Sequence, residues 1–280
     1  MSMKLFCILL AVTFLSGCTR FDILNSLIPT NDYHLTKNLA YGNLPRQHLD
    51  IYQPKNARPD ARIVIFFYGG YWSGGKKEDY RFVGEALSSQ GLIAVLPDYR
   101  IYPDVTFPAF VQDGALAVRW VHDNADRLGG DPQHIYLMGH SAGAHIAALL
   151  TLDGHYLKDV GLDRSDIAAT AGLSGPYDFQ LNSIDEPIFH AHSTTQPSFE
   201  PIDFADGKEP PMLLLQGGVD TTVEPGNARR LAAVIQKNGG VVKVIVYPSR
   251  GHEGVVLALA DHFRWLAPVL RDAVNFFQSH

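Results

Sequence analysis

The segment Gly139-His140-Ser141-Ala142-Gly143 sets a serine between glycines two residues to either side. A serine hydroxyl attacks a carbonyl carbon only when a base takes its proton, and the tetrahedral oxyanion that follows needs hydrogen-bond donors. The flanking residues suit both demands. An apolar run, Ile135–Met138, leads in, and an alanine-rich stretch with Ala142, Ala144, Ala147 and Ala148 leads out. Strand, sharp turn and helix make a nucleophile elbow, in which a strained turn lifts Oγ above the sheet. The Ala142 amide opens the helix and is one expected oxyanion donor.

A second glycine cluster offers the partner donor. The apolar run Ile63–Phe67 ends in Tyr68-Gly69-Gly70-Tyr71-Trp72, with Gly74 and Gly75 close behind. Glycines let a backbone approach a substrate carbonyl and adopt positive φ. The adjacent amides of Gly70 and Tyr71 are both candidates. For the base, twelve histidines compete. On a scaffold with this elbow the acid follows the nucleophile and the histidine comes last. His252 follows an apolar run ending at Tyr247, and Asp220 is the first carboxylate after the run Met212–Leu215. The competing histidines are His140, beside the serine but diverging from it, His145 on the following helix, His190 and His192, and His262. Glu224 is the alternative acid, at a helix start where a carboxylate also serves the dipole. No histidine cluster has carboxylate or cysteine partners at metal-ligand spacing, so neither a metal nor another cofactor is expected.

These groups need a frame. The runs near Arg62–Tyr68, Leu92–Pro97, His134–Met138, Ala169–Leu173, Met212–Leu215 and Val241–Tyr247 are apolar throughout, as in strands buried on both faces of a parallel sheet. Amphipathic stretches alternate with them: Tyr80–Ser89, Phe107–Arg127, Ala142–Leu152, Asn227–Lys237 and Val255–Gln278. Alternation of this kind predicts an α/β fold, a mostly parallel sheet with helices on both faces. Two short strands precede it, near Leu35–Ala40 and Gln47–Gln53. Gln180–Pro211, rich in Pro, Ser, His and Asp, breaks the rhythm and reads as an insertion over the active site.

The N-terminus has a different purpose. Lys4 and the apolar stretch Leu5–Leu15 have the form of an export signal, too short to span a bilayer as a helix. The stretch ends in Leu15-Ser16-Gly17-Cys18, which resembles the lipobox of bacterial lipoproteins. That implies a signal peptide over 1–17, a lipidated Cys18, a tether over 18–33 and a catalytic domain over 34–280. Acyl chains on Cys18 would hold the protein to a membrane. Thr19 after the cysteine favours, by the same resemblance, the periplasmic face of a Gram-negative outer membrane. Cys7 is the one other cysteine and leaves with the signal, so no disulfide or thiolate chemistry is expected. The net charge of −6 gives no basic face for nucleic acid.

From about Leu49 onward the chain resembles the hormone-sensitive-lipase-like and feruloyl-esterase-like branch of the α/β-hydrolase superfamily. The resemblance rests on Gly69-Gly70-Tyr71-Trp72, Pro97-Asp98-Tyr99-Arg100, Asp113-Gly114-Ala115 with Trp120, Gly139 to His145, and the loops of Asp220 and His252. It implies an α/β-hydrolase fold and a carboxylesterase acting on a small-molecule ester through Ser141. The glycine and serine motifs are also similar to those of arylformamidases and isoprenylcysteine methylesterases. An export signal sits poorly with a cytosolic kynurenine pathway, so ester cleavage is the expected reaction. One position departs from the family, which has histidine where this chain has Tyr68. That histidine holds the glycine loop, and the Tyr68 hydroxyl is expected to replace it.

Overall fold

The computed structural model describes residues 24–56, 60–179, 186–189 and 198–280. The expected signal, Cys18, His190 and His192 lie outside those residues. Eight strands form one sheet in the order β1-β2-β4-β3-β5-β6-β7-β8. They are β1 (Tyr33–Ala40), β2 (His48–Pro54), β3 (Ala61–Phe67), β4 (Ile93–Pro97), β5 (Gly130–His140), β6 (Ala169–Leu173), β7 (Met212–Gly217) and β8 (Val242–Tyr247). β1 and β2 run antiparallel, and every pairing from β4 to β8 is parallel. The helices used below are α1 (Arg81–Ser88), α2 (Ala109–Asn124), α3 (Ala142–Leu152), α4 (His155–Asp159), α5 (Glu186–Phe189), α6 (Gly226–Lys237), α7 (His252–Leu257) and α8 (Val269–Gln278).

Burial explains the choice of strand. Ile63 to Phe67 are five successive residues without solvent exposure, as a strand between two helical layers requires. α3 is buried along its whole length, which its apolar, alanine-rich sequence allows. Gly114 of α2 lets that helix approach α3, since a Cβ there would lie 3.0 Å from Ile146. The outer helices α6 and α8 keep one polar face, as their amphipathic patterns anticipate, whereas α1 is buried from Phe82 to Ser88.

The sheet order reverses direction around β3. Its neighbours are β4 on one side and β5 on the other, and their connections leave toward opposite edges. In open parallel sheets the crevice beyond the strand C-termini at such a reversal is the natural binding site. The loops that leave β3 and β5 there carry the glycine cluster and Ser141.

Two expectations need correction. The stretch Val255–Gln278 is not one helix. α7 begins earlier, at His252, and a 3-10 turn over Asp261–Leu266 separates it from α8. Ala260 and Ala267 are extended, and Pro268 has no N–H to continue a helical ladder. The second correction concerns the tether. Leu24 and Ile28 are buried, Tyr33 already begins β1, and residues 24–28 make a helical turn docked on the catalytic body.

Candidate active site

Ser141 sits between β5 and α3 at φ 55° and ψ −122°. Positive φ in a residue with a side chain is a strained state, costing on the order of 1–3 kcal/mol. The surrounding packing enforces it. A Cβ on Gly139 would lie 2.3 Å from the carbonyl oxygen of Gly143. A Cβ on Gly143 would lie 2.0 Å from that of Phe67. Glycine at both positions is therefore a steric condition for the turn, and the Ser141 amide is tied across it to the Leu173 carbonyl at 2.9 Å. Ala142 is buried at the start of α3, where the first amides of a helix have no carbonyl within it to receive them.

The loop after β3 lies directly against the serine. A Cβ on Gly69 would stand 3.0 Å from the Cβ of Ser141 and from Nδ1 of His140. Gly70, Tyr71 and Trp72 all have positive φ, so the backbone turns tightly here, and the amides of Ser73 and Gly74 close the turn on the Gly70 carbonyl. Gly69, Gly70 and Tyr71 line one cavity with Ser141 and His252. The structure thus brings both expected donor segments, Gly70–Tyr71 and Ala142, to the serine, and adds Gly69 as the residue in closest approach.

Tyr68 holds this loop, and it does so through a network. Its buried ring stacks between Tyr99, centroids 4.6 Å apart, and Tyr80, at 5.7 Å. Its hydroxyl donates to Asp98 Oδ1 at 2.9 Å and accepts from Arg46 Nη2 at 2.7 Å. Arg46 also donates to the Gly75 carbonyl at 2.8 Å, which pins the far end of the glycine loop. The Tyr99 hydroxyl donates to the Tyr68 carbonyl. Burial raises the Tyr68 hydroxyl well above its ordinary range, with the neighbouring Tyr99 and Asp98 adding to the effect, so it stays a donor. Arg100 meets Asp113 through a forked pair, with Nη2 2.8 Å from Oδ1. The Asp98 and Asp113 motifs thus brace the loop and take no direct part in the crevice.

The acid follows β7 and the histidine follows β8, at the start of α7. His252 Nδ1 lies 2.9 Å from Asp220 Oδ2. With Nδ1–H given to the carboxylate, the lone pair of the ring is on Nε2, where a general base needs it. Asp220 is completely buried at its side chain and well supplied with donors. Its Oδ1 accepts from the amides of Thr222 and Val223, and Gln216 Nε2 donates to Oδ2 at 3.1 Å. Burial alone would raise its pKa. The His252 contact and these amides outweigh that and hold it below the usual carboxylate value. Nothing in the sequence pattern marked Gln216, which holds the acid from one turn of chain away.

The competing residues have other partners. Glu224 is turned to Arg230, 3.0 Å away, and to the Gly226 amide. His140 is buried behind His252, with ring centroids 4.8 Å apart, and its Nε2–H donates to the His252 carbonyl at 3.3 Å. Burial, with His252 beside it, pushes its pKa down to about 3, so the ring is neutral and braces His252. His145 is pushed down to about 4 by burial and is bonded through Nε2 to the Phe199 carbonyl. It packs edge-on against Trp72, Phe179 and Phe189. His262 is exposed on the turn between α7 and α8. The described part of the insertion is fastened by apolar anchors: Phe189 and Phe199 enter that aromatic cluster, and the Ile188 carbonyl accepts from the Phe107 amide.

Two cavities of unlike character, one mainly apolar and one mixed, meet at Ser141 and Tyr71, which line both. One, of about 430 Å³, has an apolar wall of Leu24, Leu27, Tyr80, Val256, Leu257 and Phe263. The other, of about 520 Å³, is lined by Trp72, Phe179, Asp178, Thr222, Asn227 and Arg230 among others. Arg230 is held there by Asp178 and Glu224, and Asn227 Oδ1 accepts from the amides of Tyr177 and Asp178. An ester has two arms, and a serine between two unlike cavities can seat one in each.

Comparison with known proteins agrees with this architecture. Esterase B of Lactobacillus rhamnosis superposes with a TM-score of 0.80 over 99% of this chain and 95% of its own, at 19% identity. A truncated carbohydrate esterase from gut microbiota gives 0.78 over 90% and 98%, at 22% identity. The fold is therefore that of the α/β-hydrolases. In sequence, a probable isoprenylcysteine alpha-carbonyl methylesterase of Arabidopsis thaliana is 30% identical across 86% of this chain and 56% of its own length. Esterase LipC of Mycobacterium tuberculosis is 29% identical across 77% and 59%. The chain spans little more than half the length of these relatives. A family model described as BD-FAE matches residues 49–235, from β2 through most of α6. The chain belongs to the BD-FAE family.

Proposed function

We propose that the protein is a serine carboxylesterase with Ser141 as nucleophile, His252 as general base and Asp220 as the acid that orients it. The observation that carries this reading is the strained serine at the sheet reversal, sharing a cavity with a histidine whose Nδ1 is bonded to a buried carboxylate. Ser141 Oγ attacks the acyl carbon as His252 Nε2 takes its proton. The amides of Ala142 and of Gly70 or Tyr71 hold the oxyanion. His252 then protonates the departing alcohol, and water activated by the same ring releases the acid from Ser141. Relatives named as esterases support an ester over a formamide as the bond cleaved. The test is turnover of p-nitrophenyl esters beside N-formylkynurenine. Ser141→Ala should abolish ester cleavage and leave the fold intact; wild-type turnover by that variant would disprove the assignment.

The same proposal includes a lipid anchor at Cys18, supported by the apolar stretch before it and the Leu-Ser-Gly-Cys sequence. It would set the enzyme on the cell envelope. Metabolic labelling with palmitate should mark the wild type and not Cys18→Ser. Equal labelling of both would remove the anchor from the proposal.

A further inference from the structure

One wall of the apolar cavity comes from before the segment that carries the family match. Leu24 and Leu27 lie before β1, yet both line the cavity that Ser141 and His252 share. They belong to a short helical turn closed by the bonds from the Leu27 amide to the Leu24 carbonyl and from the Ile28 amide to the Asn25 carbonyl. Residues three apart on such a turn share a face. The turn is fixed at three points. Leu24 and Ile28 are buried, at 7% and 5% exposure. Between them, Asn25 Nδ2 donates to the Glu78 carbonyl at 2.8 Å and reaches the Asp79 carbonyl at 3.3 Å. Asp79 and Tyr80 line the same cavity, so the Asn25 clamp holds the turn against the neighbouring wall. Leu27 lines the cavity and yet remains 51% exposed, a large apolar side chain at its edge. That is the position of a rim residue over which an apolar chain would lie.

We propose that the turn Leu24–Ile28 is a specificity element of this enzyme, with Leu27 the residue that rewards a long apolar arm of the ester. The inference rests on the esterase reading above. The same cavity is lined by Val256, Leu257 and Phe263, so an alkyl chain entering from Ser141 has apolar contacts besides Leu27. An ester whose arm is too short to reach Leu27 gains nothing from this contact.

The experiment compares kcat/KM for long and short esters on the purified full-length chain. One series varies the acyl group, p-nitrophenyl octanoate against acetate; the other varies the alcohol, octyl acetate against ethyl acetate. Leu27→Asp should lower the long-to-short ratio by about tenfold in the series whose long arm occupies the cavity, equivalent to roughly two methylene groups taken out of apolar contact. Leu27→Met should keep the wild-type ratio, and Asn25→Ala should lower it by releasing the clamp. Partial unfolding lowers both rates together and leaves the ratio unmoved. An unchanged ratio in Leu27→Asp in both series would overturn the proposal. A wild type that cleaves none of the four esters would instead overturn the esterase reading itself.

Discussion

Replacing Tyr68 by phenylalanine tests how the glycine loop is held. The change keeps the ring between Tyr99 and Tyr80 and removes only the hydroxyl. Two hydrogen bonds go with it, one to the Asp98 carboxylate and one from the Arg46 guanidinium. Bonds to charged groups contribute about 1.5–3 kcal/mol each. The partners are not left bare: Asp98 keeps the Lys77 amide and ammonium, and Arg46 keeps the carbonyls of Tyr99 and Gly75. The lower end applies to both bonds, a loss of about 3 kcal/mol in all. For a chain of this size that corresponds to a melting temperature lower by about 6 °C. The loop stays pinned at Gly75 but loses its cross-link at Tyr68, so the amides of Gly70 and Tyr71 are less well aimed. Outright loss of an oxyanion donor costs about 10²–10³ in kcat; a loosened one should cost about tenfold. Thermal melts by circular dichroism and the rate on p-nitrophenyl acetate read the two effects. A variant that melts with the wild type and turns over at the same rate would refute the idea that the hydroxyl stands in for the family histidine.

Other perturbations have equally definite outcomes. Asp220→Asn should lower kcat by about 10⁴ with little change in KM, because the amide stabilises the wrong ring tautomer of His252; a rate within tenfold of wild type would remove Asp220 from the triad. Gly143→Ala drives a Cβ into the Phe67 carbonyl and should cost at least about 3 kcal/mol, read as a lower urea midpoint. His140 and His145 titrate near their ordinary 6.5 when unfolded but are held down to about 3 and about 4 when folded. Acid therefore protonates the unfolded chain first. Stability present above about pH 6.5 should fall as the pH drops toward those folded values, by up to about 1.4 kcal/mol per pH unit for each ring. His145→Gln should remove that ring's share of the slope in urea midpoint against pH, and an unchanged slope would count against a neutral buried His145.

Much of the frame was legible in the sequence because buried parallel strands are apolar without interruption. β3, β6 and β7 read directly from runs such as Ile63–Phe67, and α3 from the alanines after Ser141. The pentapeptide was legible for a steric reason, since Gly139 and Gly143 occupy positions where any Cβ meets backbone. Asp220 and His252 followed from order along the chain, and their contact at 2.9 Å is what that order implies. Other features leave no local trace. The network of Tyr68 joins Arg46, Asp98 and Gly75 from three separate loops. The mixed cavity gathers Asp178, Thr222 and Arg230 from separate segments. Gln216 lies inside a strand and differs in no pattern from a core position until its amide is seen to meet Asp220. The helical turn at Leu24 is too short for periodicity to register, and it sits in a stretch whose composition reads as linker. The break before α8 was foreshadowed by Pro268, but an amphipathic pattern continuing on both sides concealed it.

The docked turn at Leu24 also sets a distance. From Cys18 to Leu24 is six residues, which fully extended span at most about 21 Å. With the lipid proposed at Cys18, the mouth of the apolar cavity would hang on that leash and could not swing away from the bilayer. Esters dissolved in the membrane would then meet the enzyme at a local concentration fixed by the leash, while freely diffusing ones would meet it at their bulk concentration. Shortening or lengthening the segment between Cys18 and Leu24 would retune that balance without touching Ser141.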